Sequence, residues 1–216
     1  MKKNSIISLS AVALLAASAQ AKDLDHSAYL PADDAGLSYV TVGGGQFIDD
    51  EIPYVFANFG YQLDAINSFS LEMFYFNDEQ SYDGYGYFGS SDVDVFGIGA
   101  AYRASYSLTS STQLYAGVGL GLAFINDSLI YKAPDMSSTY RGGGDTTSIY
   151  LDAVAGIEQR ITEHWAFNVN LRYLWINDYD VKYPSDGAYE VYGDFEGDFN
   201  KFDNLFGIEA GLTYRF

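Results

Sequence analysis

The chain has 216 residues, of which 17% are aromatic, and it contains 22 glycines and no cysteine. Its formal net charge of −18 excludes a nucleic-acid-binding protein, because a phosphate backbone is bound by a basic surface. The same charge argues against adhesion to anionic lipid through a basic patch. Without cysteine, no disulfide stabilises the fold.

The N-terminal 21 residues have the organisation of a secretory signal peptide. Lys2 and Lys3 form a basic region, residues 6–17 are apolar, and Ala19-Gln20-Ala21 is an A-x-A cleavage site. An uncleaved membrane anchor is the alternative, but the apolar run is too short to span a bilayer comfortably. We therefore expect export through the inner membrane and removal of residues 1–21.

Residues 22–35 are polar and are expected to form a periplasmic lead-in to a single domain over residues 36–216. Within that domain, eight segments alternate apolar residues with small or polar ones, as strands do when one face contacts an apolar environment. These segments cover about residues 36–47, 52–63, 68–76, 92–107, 113–125, 148–160, 165–176 and 204–216. In the first segment the facing is ambiguous, because Tyr39, Val40 and Val42 compete for the apolar face.

The last segment has the most regular pattern. Its apolar positions are Phe206, Ile208, Ala210, Leu212, Tyr214 and Phe216. The residues between them are Gly207, Glu209, Gly211, Thr213 and Arg215. One face is therefore apolar to the final residue and the other is small and charged, which is typical of a transmembrane barrel strand between lipid and lumen.

The connections between the segments alternate in length, except that the first, an acidic turn at residues 48–51, is also short. Short turns are predicted at residues 64–67, 108–112 and 161–164, and long loops at residues 77–91, 126–147 and 177–203. Outer-membrane barrels have short periplasmic turns, longer external loops and aromatic girdles at both interfaces. Aromatic residues do gather near the outward strand ends, namely Tyr75, Tyr106, Phe124, Trp165, Trp175, Tyr214 and Phe216.

A soluble β-sandwich or a lipocalin-like barrel is the alternative architecture. It is disfavoured because the polar faces are rich in glycine and alanine, which suits a narrow lumen, and because the apolar faces have almost no polar interruption. No apolar run after residue 21 approaches the length of a transmembrane helix. We therefore predict an all-β, eight-stranded, antiparallel up-and-down transmembrane β-barrel over residues 36–216.

The ending G-I-E-A-G-L-T-Y-R-F and the inward charged residues resemble the small eight-stranded outer-membrane proteins, and most closely the OmpA-like transmembrane domain. The resemblance implies a place in the cell outer membrane, among its lipid and lipopolysaccharide. Leu212, Tyr214 and Phe216 look like the signal read by the barrel-assembly machinery. Because the sequence ends at Phe216, we do not expect the peptidoglycan-binding domain that follows the barrel of OmpA.

The predicted inward faces carry equal numbers of acidic and basic residues. They are Glu72, Arg103, Asp152, Glu158, Arg160, Arg172, Glu209 and Arg215. Eight strands leave a lumen that side chains just fill, so these charges must be paired. We expect Arg172 to lie near Asp152 and Glu209, and Glu72 to face Arg103. The network is either an ion-pair gate or, as we favour, a permanently plugged structural core.

No catalytic, cofactor or metal site is predicted. Catalysis at the outer rim of a barrel would need a histidine beside an external serine, and neither His26 nor His164 is placed for this. The acidic residues of segment 194–200 alternate somewhat like a calcium loop. However, Phe199 and Leu205 stand where such a loop has glycine and glutamate.

These observations predict an outer-membrane protein with a structural or narrow-channel, porin-like role and no enzymatic activity. The alternative is a surface-interaction or adhesion protein that binds a partner through the acidic, aromatic external loops. A third function, passage of small hydrophobic molecules through an opening in the barrel wall, has no residue pattern for or against it.

Overall fold

The computed structural model describes residues 36–48, 51–84, 87–132, 140–177 and 204–216. The predicted leader and lead-in at residues 1–35 and the calcium-like segment 194–200 lie outside the described residues. The strands are β1 (Ser38–Phe47), β2 (Pro53–Gln62), β3 (Asn67–Gly84), β4 (Tyr87–Ser107), β5 (Thr112–Lys132), β6 (Tyr140–Arg160), β7 (Trp165–Ile176) and β8 (Leu205–Arg215). Each strand pairs antiparallel with its sequence neighbours in one closed barrel, which confirms the predicted fold.

The barrel closes through regular pairing of β1 with β8. Tyr39 lies opposite Arg215, and the backbone N–H of Phe216 donates to the carbonyl of Ser38 at 3.0 Å. Where all eight strands pair, the wall therefore has no free strand edge, and its backbone groups are satisfied without water. Across the described residues, no helix is long and apolar enough to span a bilayer.

The side chains alternate between the outer surface and the lumen along every strand. The outward apolar residues include Val55, Phe59, Leu71, Val118, Leu120, Ile149 and Leu171. In β1, Tyr39 and Thr41 are buried whereas Val42 is 52% exposed, which resolves the ambiguous facing of this strand. Glycine is required at the inward position Gly43, because a Cβ there would collide with the ring of Phe56.

Three short turns at one end of the barrel, here called the turn end, share one hydrogen-bond pattern. The first polar side chain of each turn accepts the backbone N–H of the residue three positions later. The pairs are Asp64 with Asn67 at 2.8 Å, Thr109 with Thr112 at 3.0 Å, and Thr162 with Trp165 at 3.0 Å. These side chains replace a backbone turn bond, which is why short polar residues occupy these positions.

Asp64 also accepts hydrogen bonds from the side-chain amide of Asn67 and from the backbone N–H of Ile66. These bonds, led by the one from the Asn67 side chain, hold the pKa of the Asp64 carboxyl below its ordinary value. The carboxylate form is therefore the one that stabilises this turn.

At the opposite end of the barrel, here called the loop end, two predicted long loops are wrong. β3 and β4 remain paired as far as Gly84 and Tyr87, and β5 and β6 as far as Tyr131 and Tyr140. The residues predicted as loops at 77–91 and 126–147 are therefore mostly strand. The third predicted loop lies outside the described residues from position 178 onwards.

The reason for this error is a change in the outward face at one level of the barrel wall. Tyr75, Phe96 and Phe124 lie side by side on β3, β4 and β5. The next outward residues towards the loop end are polar, namely Asn77, Asp94 and Asn126. The apolar alternation of a lipid-facing strand stops there, although backbone pairing continues. We call the continuation the protruding sheet (residues 77–84, 87–94, 126–132 and 140–147).

Candidate functional site: the charge cluster in the lumen

Four strands bring buried charged side chains together in the middle of the barrel. Glu72 on β3, Asp152 on β6, Arg172 on β7 and Glu209 on β8 all point into the lumen and are buried. The side chain of Arg172 is only 1% exposed. A charge in so narrow a lumen is stabilised only by neighbouring protein groups. We call this set the Arg172 cluster.

Arg172 contacts all three carboxylates of the cluster. Its Nε donates to Oε2 of Glu209 at 2.8 Å, and its Nη1 donates to Oδ2 of Asp152 at 2.7 Å. Glu72 is bound in a bidentate manner, with Nη1–Oε1 and Nη2–Oε2 distances of 3.1 and 2.9 Å. The planar, multiply donating guanidinium suits this arrangement better than an ammonium group would. The cluster therefore ties β3, β6 and β8 to β7.

Glu209 has further partners that fix both of its carboxylate oxygens. The Tyr54 hydroxyl donates to Oε2 at 2.8 Å, and Nδ2 of Asn170 donates to Oε1 at 2.7 Å. Asn170 is itself hydrogen-bonded by the Tyr115 hydroxyl. Charge-assisted bonds of this kind are the strong ones in a protein interior, so the position of the Glu209 side chain is fixed on both sides.

Glycines on the inward faces of β4 and β5 make room for the cluster. They are Gly99, Gly119 and Gly121. A Cβ on the first or third would collide with the Tyr150 side chain, and a Cβ on the second would collide with Oδ1 of Asp152. The side chains of Tyr150 and Asp152 on β6 occupy the space that inward side chains of β4 and β5 would otherwise fill.

A second group of charges lies nearer the turn end. Glu158 on β6 pairs with Arg103 at 3.2 Å and with Arg215. The guanidinium of Arg103 also lies 3.4 Å above the ring centroid of Tyr115, which is a cation–π contact. Arg160 is buried two positions further along the same face of β6.

The expected pairing of Glu72 with Arg103 is wrong. Ser68, not Glu72, lies opposite Arg103 in the β3–β4 register. Glu72 lies nearer the loop end, where Arg172 reaches it from across the lumen, and Arg103 pairs with Glu158 instead. Adjacent strands alone do not predict these partners, because side chains in a narrow barrel also meet across its diameter.

A cavity of about 40 Å³ separates the two groups of charges. Its lining includes Arg172, Arg103 and three asparagines, Asn58, Asn168 and Asn170. The carbonyl oxygen of the Asn58 side chain is buried and has no hydrogen-bond partner among the described residues. A polar cavity of this size has room for about two or three water molecules, which is far too narrow for a solute pore.

An apolar cluster fills the lumen on the loop-end side of Arg172. It comprises Phe47, Ile52, Tyr54, Phe56, Phe74, Phe76, Val93, Val95, Ala123, Ile125, Tyr150, Leu174, Ile176 and Leu205. Phe47 stacks on Tyr54 with ring centroids 4.4 Å apart, and Phe74 meets Tyr150 edge-on at 5.0 Å. The expectation of a lumen filled by paired charges therefore describes only its turn-end half. The inward positions of Phe56, Phe74 and Phe76 in the alternation were the available signal.

The remaining predicted residues lie at the turn end. Leu212 and Phe216 are exposed on the outer surface, and the ring of Tyr214 packs between those of Trp165 and Phe216. Recognition of this ending by an assembly machinery stays a prediction. His164 lies in the β6–β7 turn, where Nδ1 is 3.1 Å from the carbonyl of Arg215. Among the described residues, no group of three or more His, Cys, Asp or Glu side chains is placed to hold a metal ion.

A closed eight-stranded barrel with an apolar outer wall and a charged lumen defines an outer-membrane barrel protein. The model of the family described as "Outer membrane protein beta-barrel domain" matches residues 7–216, and the chain belongs to this family. The protein is thus placed in the outer membrane. No curated protein sequence matches the chain.

Several solved structures match the chain at low sequence identity. A major outer membrane protein from Thermus thermophilus is 12% identical with a TM-score of 0.57, and the match covers 83% of this chain and 99% of that one. OprG from Pseudomonas aeruginosa is 14% identical with a TM-score of 0.49, covering 87% and 99%. Neisserial surface protein A is 16% identical with a TM-score of 0.48, covering 83% and 96%. The Thermus similarity supports the fold alone.

Proposed function

We propose that this protein is a structural outer-membrane barrel whose lumen is closed to solutes and ions. The observation that carries the proposal is the direct contact of Arg172 with carboxylates from three other strands. A guanidinium at the centre of the lumen, bound on several sides, occupies the path that a conducting pore would need.

The apolar cluster supports the same proposal independently. Rings and aliphatic side chains fill the lumen between the Arg172 cluster and the loop end. A hydrophobic constriction excludes water as well as ions. Opening the barrel would therefore require two chemically different layers to rearrange, whereas a gate of exchanging ion pairs rearranges only one.

A solute-entry assay tests this function. The protein is refolded into liposomes, and swelling is followed by light scattering in isosmotic solutions of small sugars and amino acids. A structural barrel gives the swelling rate of empty liposomes, whereas a porin-like barrel gives faster swelling for the smaller solutes. Heat modifiability on a gel, measured on the same sample, verifies that the barrel is folded.

The second candidate function is surface interaction, and the protruding sheet favours it. β3 to β6 continue as paired strands beyond the apolar band, and cross-strand hydrogen bonds such as Asn126 to Asp145 order their outward faces. A sheet is a firmer platform for a partner than a loop is. Deleting residues 78–93 and rejoining the two strands with a short hairpin should abolish binding to cells or envelope components while the barrel still folds.

A further inference from the structure

The Arg172 cluster contains more carboxylates than cations. Glu72, Asp152 and Glu209 all contact the one guanidinium. The other inward groups at this level of the lumen are uncharged. They are Gly43 and Gly45 on β1, the Tyr54 hydroxyl on β2, Gly99 on β4, Gly121 and the Tyr115 hydroxyl on β5, and Tyr150 on β6. Arg103, which lines the same cavity as Arg172, is paired with Glu158. Three ionised carboxylates would leave an excess of negative charge in a buried site.

Two of the three carboxylates bind the same nitrogen of Arg172. Nη1 of Arg172 is 3.1 Å from Oε1 of Glu72 and 2.7 Å from Oδ2 of Asp152. Two like charges held so close together cannot both ionise readily. Glu209 differs, because Nε of Arg172 and two neutral donors satisfy its oxygens.

The far side of Asp152 has a second feature that points to a bound ligand. Its Oδ1 atom and the Tyr150 hydroxyl are both buried and both lack a hydrogen-bond partner among the described residues. Asp152 is 6% exposed and Tyr150 is 0% exposed. An ionised carboxylate oxygen with no donor in such a place is strongly unfavourable, whereas a protonated one is neutral and can itself donate.

We propose that Glu72 and Asp152 bind one proton between them, so that the Arg172 cluster is a buried proton-binding site. The proton removes one negative charge and lets both side chains stay on the guanidinium. Because the folded barrel holds at neutral pH a proton that the unfolded chain has already released, the free energy of unfolding falls as the pH rises through the titration of this site.

Carbon-detected NMR tests this site directly. The mature barrel is labelled with ¹³C at its Asp and Glu carboxyl carbons, refolded into detergent micelles and titrated with base. We expect one resonance to keep the chemical shift of a protonated carboxyl at pH 7. It should be lost in Asp152→Asn or in Glu72→Gln, whereas Glu163→Gln, in an exposed turn, should remove only an ionised resonance.

Two results would overturn the proposal. One is a wild-type spectrum at pH 7 in which every carboxyl resonance lies at the ionised position, a result that needs no variant to fold. The other is a protonated resonance that survives both substitutions, because the proton would then reside on a different group.

Discussion

Arg172 on β7 reaches across the lumen to Glu72 on β3 and binds it through two parallel hydrogen bonds of 3.1 and 2.9 Å. The two strands are not neighbours in the barrel wall. The pair therefore spans the diameter of the barrel, in addition to the ladder bonds that run around it. Because this pair belongs to a buried network, removing one member leaves several groups unsatisfied.

Replacing Arg172 with alanine should destabilise the barrel strongly. Three buried carboxylates would lose their common partner, and breaking a buried ion pair costs about 3–5 kcal/mol. The free energy of unfolding, measured by urea titration in lipid vesicles, should fall by that amount. Arg141→Ala is the matched control, because Arg141 is exposed on β6. Equal effects of the two substitutions would contradict a supporting role for the cluster.

The inward glycines should not tolerate a side chain. Gly119→Ala places a Cβ against Asp152, and we expect a loss of about 1–3 kcal/mol, as for other overpacked interiors. Gly144→Ala is the control, because a Cβ there meets no atom within 4 Å. Both variants add the same methyl group to a glycine in a strand, so a difference in urea midpoint reports on the space in the lumen.

The hydroxyls of the short turns should contribute measurably to stability. Thr109→Ala and Thr162→Ala each remove a side-chain acceptor of a backbone N–H, and each should cost about 1 kcal/mol. Glu163→Ala changes a residue within the same β6–β7 turn and serves as the control. Unchanged urea midpoints for both threonine variants would show that water replaces these acceptors without loss.

Asp64 should make the β2–β3 turn sensitive to acid. Its carboxyl has a lowered pKa in the folded protein because Asn67 donates to it. Its contribution is therefore complete above the unfolded-state pKa of about 3.9 and is lost as the pH falls through the folded value. The stability difference between the wild type and Asp64→Ala should shrink when unfolding is measured at pH 3 instead of pH 7. A constant difference would assign the effect to packing.

The lipid-facing half of the fold could be predicted from the sequence. Outward residues in lipid must be apolar, so positions such as Val118 and Leu120 cannot carry a charge. The alternation of apolar residues is therefore strict there. The protruding strands could not, since beyond Phe96 and Phe124 the outward residues are polar and the outward alternation of apolar residues is lost. Hydrogen bonding of the backbone, which continues there, leaves little trace in the sequence.

The candidate site could be predicted from the sequence only in part. Inward facing along each strand depends on local sequence, so the charged lumen positions could be proposed from alternation. The partner of Glu72 depends on the stagger of distant strands, which places it beside Arg172 and not Arg103. The apolar cluster was missed because the lumen of such barrels is expected to be polar throughout.

Single-channel recording in planar bilayers tests the closed lumen most directly. The wild-type protein, verified as folded by heat modifiability, should give no discrete openings at any holding potential that the bilayer withstands. Arg172→Ala should also be silent where it folds, because the apolar cluster still fills the loop-end half of the lumen. Discrete openings of the wild type that change in size or frequency with Arg172→Ala would contradict the closed barrel and establish an ion-pair gate.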